Sequence, residues 1–348
     1  MDAARRPHRR PGPPAALAEG PGRAACGGGA RAARARGAPG AVSPATRRVH
    51  TRPAARRPNR RPGTTAARAA LAVSATIGGS ALALPATAAE QGTVETGRVA
   101  DSAAGPIDYT VYLPPGYDDA AQEYPTLYLL HGRGDTRAAW QQVTGDLDEL
   151  IGAGEIQPMV VVMPDAPWND RGSWYTDSLY TGDATGAGAG TAVETAFTRD
   201  LVAHVDATYR TVEDREARAV GGYSMGGAGA LRFTLAHQDT FSAGIVLSPA
   251  VYVPQPPADS SARDHGGYGV GSAPFDADRY TELSYPTALA ALDPALPVHL
   301  FVAVGDDAWA NPDPAAAAHA IDVESARLYN QARRVPGGPA ALRGRAGG

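Results

Sequence analysis

No lysine occurs among the 348 residues, and all 32 basic side chains are arginine. That absence excludes a phosphate-binding P-loop, so the glycine-rich run from Gly222 to Gly229 is no nucleotide cradle. Cysteine is nearly absent as well. Cys26 is the only thiol and lies near the start, which leaves the rest of the chain without disulfides or thiol chemistry. No His-x-x-x-His pair and no carboxylate–histidine cluster has metal-ligand spacing, so neither a metal nor another cofactor is expected. Long apolar runs are missing too. The best stretch, from Ala69 to Leu84, is too short and too rich in Ala and Gly for a stable membrane span.

What is present divides unevenly. Residues 1–88 hold 16 Arg against two acids, Asp2 and Glu19, whereas residues 89–348 hold 16 Arg against 34 acids, a net charge of −18. The second part should repel nucleic acid. Residues 1–60 read as a disordered Arg/Ala/Pro/Gly-rich head, and their GC-only codon bias suggests DNA read from a start codon placed too early. Residues 61–88 read as a secretory signal peptide. Arg60, Arg61 and Arg68 supply charge, the 69–84 stretch supplies the apolar part, and Ala86-Thr87-Ala88 is an A-x-A cleavage site. Secretion is therefore expected.

Residues 93–335 alternate strands and helices, the pattern of an α/β fold whose mostly parallel sheet carries helices on both faces. Strands are expected at 107–113, 126–130, 160–163, 217–220, 243–247 and 298–304, with helices at 192–209 and 227–236. The Gly/Pro-rich stretches 166–191 and 252–285 lack periodicity. In such sheets, insertions of this kind crown the carboxyl ends of strands, where ligands bind.

Gly222-Tyr223-Ser224-Met225-Gly226 is a G-x-S-x-G nucleophile elbow between an apolar strand and a small-residue helix. Ser224 is the candidate nucleophile. The oxyanion donors would be the N–H of Met225 and those of Gly132 or Arg133, in the glycine loop that follows Leu129-Leu130-His131. His131 precedes the serine and fits a brace of that loop better than a base. Asp307, with Asp306 as the alternate, follows a core strand and fits the orienting carboxylate, or else a cap of its own loop.

From Asp101 to Arg334 the chain resembles the esterase family of α/β-hydrolases that includes feruloyl esterases, acetylxylan esterases, formylglutathione hydrolases, enterochelin esterases and mycolyltransferases. The resemblance rests on Tyr128 to Gly134, Ser173 to Ser178, Gly222 to Gly227, Leu247 to Ala250, and Gly305-Asp306-Asp307 followed by Leu328-Tyr329-Asn330. It implies a serine ester hydrolase acting on a small-molecule or polysaccharide-linked ester, with Trp168, Trp174 and Tyr175 along the acyl or sugar side of the cleft.

It also implies a histidine after one more strand, in a Gly-Gly-His-type turn. Here residues 336–348 read as an aberrant tail with neither apolar strand nor histidine, as a frameshift or truncation near Pro336 would leave. His319, the one histidine beyond Asp307, and His265 in the crown are weak substitutes for the base. Two alternatives stand beside hydrolysis. One is acyl transfer to a sugar or lipid acceptor, and the other is a non-catalytic pseudo-esterase that binds in the cleft.

Overall fold

The computed structural model describes residues 90–119, 121–305, 319–336, 338–339 and 341–346. All fall in the second of two units, Ala81–Gly348. The basic head, the signal-like segment, Asp306 and Asp307 lie outside the described residues.

The apolar runs form strands. In chain order these are β1 (Thr93–Val99), β2 (Ile107–Leu113), β3 (Thr126–Leu130), β4 (Val160–Pro164) and β5 (Leu179–Tyr180). Then come β6 (Arg218–Tyr223), β7 (Ala243–Leu247), β8 (Val270–Gly271), β9 (His299–Val304) and β10 (Ala341–Ala346). Among the described residues, eight of them form one sheet in the order β1-β2-β4-β3-β6-β7-β9-β10. The β1–β2 and β2–β4 pairs are antiparallel and the others parallel. This is the α/β arrangement the alternating pattern predicts.

A strand buried on both faces needs apolar residues throughout, and alternation sorts them between two layers. In β4, Val161 and Met163 join Tyr112 and Leu129 on one face. Trp140 and Val143 of a 3-10 segment, with Leu147 and Ile151 of α1 (Thr144–Gly152), cover them. Val160 and Val162 face the larger core on the other side. There α2 (Val193–Thr195) runs through a π-helical turn (Ala196–Leu201) into α3 (Val202–Thr208), adding Phe197, Leu201 and Val205. The twelve-residue α4 (Met225–Ala236) adds Leu231, Phe233 and Leu235. The later helices are α5 (Ala277–Leu283), α6 (Tyr285–Ala290) and α7 (Ile321–Ala332).

Four segments depart from the sequence expectation. The aperiodic stretches 166–191 and 252–285 meet through the short β5–β8 pair, and the second also contains α5. The strand leading into the elbow is longer than expected and runs to Tyr223. The tail, expected to offer no strand, pairs as β10 in parallel with β9, from Ala341↔His299 to Ala346↔Val304. Strand pairing is a backbone bond that any residue except proline can make, and the last proline is Pro339. Apolar composition predicts a buried strand; an edge strand needs much less.

One buried ionic cluster ties the second layer together. Glu194 accepts from Arg232 Nε at 2.6 Å and from His237 Nε2 at 2.7 Å, and Arg232 also reaches the Leu283 carbonyl at 3.0 Å. Burial pushes the Glu194 carboxyl upward, but His237 and Arg232 outweigh it and hold it below the usual range. A carboxylate held low in the fold contributes stability above its unfolded value near about 4.3, and loses that contribution as pH falls through its folded value. Glu194→Gln leaves Arg232 without its counter-charge. Urea unfolding at pH 7 should show a loss of roughly 3 kcal/mol, and the deficit relative to the parent should shrink below about pH 4.

Candidate active site

β6 ends at Tyr223 and α4 begins at Met225, so Ser224 alone makes the turn between them. Its backbone sits at φ 55° and ψ −119°, a conformation that costs an L-residue about 1–3 kcal/mol. Three hydrogen bonds impose it. The Ser224 N–H donates to the Leu247 carbonyl at 3.1 Å, and its carbonyl accepts from Ala228 and Ala250, both at 3.0 Å. Close packing explains the flanking glycines. A Cβ on Gly222 would lie 2.3 Å from the Gly226 carbonyl oxygen, and one on Gly226 would lie 2.2 Å from that of Leu130. The helix therefore starts almost in contact with the end of β3.

Ser224 opens on a cleft of roughly 350 Å³, within the range of small-molecule sites. Gly132, Arg133 and Asp135 form one wall, and Trp174, Tyr223, Tyr252 and Ile321 form others. The Arg133 and Met225 N–H groups donate to no other described residue. Met225 is in the first turn of α4, where backbone donors lack helical partners and the helix dipole favours negative charge. Two unspent donors beside a serine are what a developing oxyanion requires.

His131 is fully buried and committed to structure. Its Nε2 accepts the Ala166 N–H at 2.9 Å, so the proton is on Nδ1, which donates to the Gly132 carbonyl at 2.7 Å. Burial lowers its affinity for a second proton, with the Gly132 carbonyl opposing. A ring with both nitrogens occupied braces the oxyanion loop and is no general base.

The aromatic candidates separate. Trp174 lines the cleft. Tyr175, expected there, is instead fully buried: its ring packs on Phe197 and Phe233, and its hydroxyl donates to the His131 carbonyl at 3.1 Å. The Tyr175 ring finds its aromatic partners in the core, on the opposite side of the segment from the cleft wall that Trp174 forms. Trp168 is half-buried in the crown, its Nε1 donating to the Gly188 carbonyl at 3.2 Å, and is not among the cleft residues.

No histidine is among the described residues that line this cleft. His319 donates through Nδ1 to Glu324 at 2.7 Å and meets the Tyr252 ring edge-on at 6.4 Å. Tyr252 lines the cleft, and His319 is not among the lining residues. Glu324 is wholly buried and takes His319 and Arg327 as partners, which accounts for His319 as a brace of α7. His265 lies against Gly172, where a Cβ would be 2.6 Å from its ring. His204 bonds Tyr109, and His237 is the C-cap of α4. Among the described residues there is no group of three His, Cys, Asp or Glu able to hold a metal ion.

Sequence reasoning passed over Asp135, Tyr223, Tyr252 and Ile321. Tyr223 occupies the unspecified position of G-x-S-x-G, and Asp135 lies one residue beyond the glycine loop, so neither carries a motif of its own.

Residues 101–340 match the family model described as "Putative esterase". Over 169 residues, 46% of this chain, the sequence is 31% identical to an endo-1,4-beta-xylanase/feruloyl esterase of Xylanibacter ruminicola, of which it covers 22%. Over 135 residues, 38% of this chain, it is 32% identical to an esterase of Mycobacterium tuberculosis, of which it covers 26%. The matches thus span about a quarter of those relatives. A solved ferulic acid esterase matches with a TM-score of 0.56 and 27% identity, over 74% of this chain and 90% of that one.

The geometry of the elbow is directly testable. Gly226→Ala should force α4 away from Leu130 and, since about 1 Å of misplacement costs on the order of 10²-fold, slow fluorophosphonate labelling of Ser224 by that factor. The far-UV circular dichroism should be retained. Undiminished labelling would show that the close approach is not required. With strand, elbow, oxyanion loop and family model in agreement, the chain belongs to the Putative esterase family of α/β-hydrolases.

Proposed function

We propose that this chain is a secreted carboxylic ester hydrolase that works through an acyl-enzyme on Ser224. The observation that carries this reading is the strained Ser224 turn, opening on one cleft beside the unspent N–H groups of Met225 and Arg133. Ser224 Oγ attacks the ester carbonyl, and those two donors take the charge that moves onto the carbonyl oxygen. Collapse expels the alcohol, and water then attacks the acyl-serine. The proton of Ser224 needs an acceptor, and no histidine is among the described cleft residues to supply it. Asp307 or Asp306 is proposed to orient it.

Two features support an aryl acyl group on a neutral alcohol, as in a hydroxycinnamate ester of a polysaccharide. Trp174 gives the cleft a flat apolar wall, and relatives include proteins named as feruloyl or ferulic acid esterases. A net charge of −18 over residues 89–348 disfavours polyanionic substrates. Export rests on the signal-like segment 61–88, and among the described residues no helix is long and apolar enough to cross a membrane.

Hydrolysis of p-nitrophenyl acetate and methyl ferulate, measured beside fluorophosphonate labelling, tests this. Ser224→Ala should abolish labelling and lower kcat by at least about 10³-fold on both esters. Trp174→Ala should raise KM for methyl ferulate up to about tenfold, with little change for the acetate. Equal rates for Ser224→Ala and the parent would leave a cleft that binds without catalysis.

A further inference from the structure

The proposed nucleophile and the oxyanion loop stand on different strands, β6 and β3. Direct pairing fixes the two strands up to Leu130↔Gly222, but donors stabilise a transition state only when held within about 0.5 Å of the productive position, so something must also fix the loop beyond β3 against Ser224. Behind the loop, Ala166 and Tyr175 hold His131, and the Gly134 N–H donates to the Arg171 carbonyl at 3.3 Å. None of these contacts involves β6.

The cleft side supplies the missing link. Tyr223, the covalent neighbour of Ser224, donates its hydroxyl to the Asp135 carboxylate. Its ring lies against the loop at Gly132, where a Cβ would stand 2.7 Å from Tyr223 Cε2. Trp140 meets the ring edge-on at 5.4 Å, and its own Nε1 donates to the Leu130 carbonyl at 3.0 Å. Asp135 closes the turn by donating its N–H to the Gly132 carbonyl at 3.1 Å. The segment from Gly132 to Asp135 is thus closed on itself and fastened to the residue just before Ser224.

We propose that the Tyr223–Asp135 hydrogen bond is a clamp that sets the Gly132 and Arg133 N–H groups in register with Ser224. The proposal rests on the reading of Ser224 as nucleophile. Tyr223 and Asp135 are positioning residues, since each acts through the backbone it holds. The charge states suit the role. The phenol holds the Asp135 carboxyl below its usual range, while burial, then Asp135, pushes the Tyr223 phenol up. A neutral donor and an ionised acceptor therefore face each other at neutral pH, and charge assistance strengthens their bond. A bond that only stabilised the rim would alter melting temperature without selecting kcat over KM.

The test uses the full chain with Tyr223→Phe, Asp135→Ala, Asp135→Asn, the Tyr223→Phe/Asp135→Ala double variant, and Ser224→Ala as control. With p-nitrophenyl acetate, Tyr223→Phe and Asp135→Ala should each lower kcat about 10- to 100-fold and leave KM within about twofold, the pattern of a lost transition-state interaction. Asp135→Asn, whose amide oxygen still accepts from the phenol, should recover most of the rate. The double variant should fall no further than either single variant. Wild-type kcat in Tyr223→Phe, or additive losses in the double variant, would overturn the clamp.

Amide hydrogen exchange supplies a readout independent of turnover. In Tyr223→Phe, amides at 132–135 should exchange at least about tenfold faster relative to those of β4. Unchanged exchange there also overturns the proposal. Ester hydrolysis surviving Ser224→Ala would instead reject the nucleophile and leave the exchange result standing.

Discussion

The backbone of Ser224 is held at φ 55° by one hydrogen bond from its N–H and two to its carbonyl. Strain of this kind persists only where the surroundings over-determine it. Much else follows from that requirement. Leu247 and Ala250 must stand at the end of β7 to receive and supply those bonds. α4 must begin within contact distance of β3, which admits no side chain at Gly222 or Gly226. The small residues of the motif are thus consequences of one turn, and the turn is what lifts a hydroxyl above the sheet edge.

Polar groups around this turn divide by whether their valences are spent. His131 has used both ring nitrogens, and burial keeps it neutral, so it contributes shape and no proton chemistry. The N–H groups of Met225 and Arg133 are in the opposite condition, since among the described residues neither has a partner. Glu194 and Glu324 are buried carboxylates paired with Arg and His side chains, Glu194 through both oxygens and Glu324 through Oε1. A buried ion pair of that kind holds elements in place, and its charge is not available for catalysis. Counting partners separates chemistry from architecture more sharply than residue type does.

That distinction also marks how far the sequence can be read. The sheet was legible because strands such as Val160–Met163 are apolar at every position, and the elbow was legible because its steric demands leave only small residues. Ser224, Gly132 and Arg133 line one cleft, and Met225 follows Ser224 at the start of α4. Tyr175 was not legible: Ser173 to Ser178 shows an aromatic pair but not which ring turns inward, and that depends on contacts with Phe197 and Phe233 far along the chain. β10 was not legible either, because pairing on an open edge is made by backbone that every residue shares. Tyr223 and Asp135 meet only after β3 and β6 pair, across 88 residues.

Parallel register carries the argument to the sheet edge. Tyr223 pairs with Leu247, Leu247 with Ala303, and Val304 with Ala346. β6, β7, β9 and β10 therefore end nearly level, and the segments that leave them begin along one edge. Ser224 leaves β6 there, Ser248 leaves β7 with its N–H on the Ala303 carbonyl at 2.7 Å, and Gly305 leaves β9. In open α/β sheets this edge is where ligands bind. A group leaving β7 or β9 begins one or two strands from Ser224, while among the described residues His204 and His131 are already bound into the core and the loop brace.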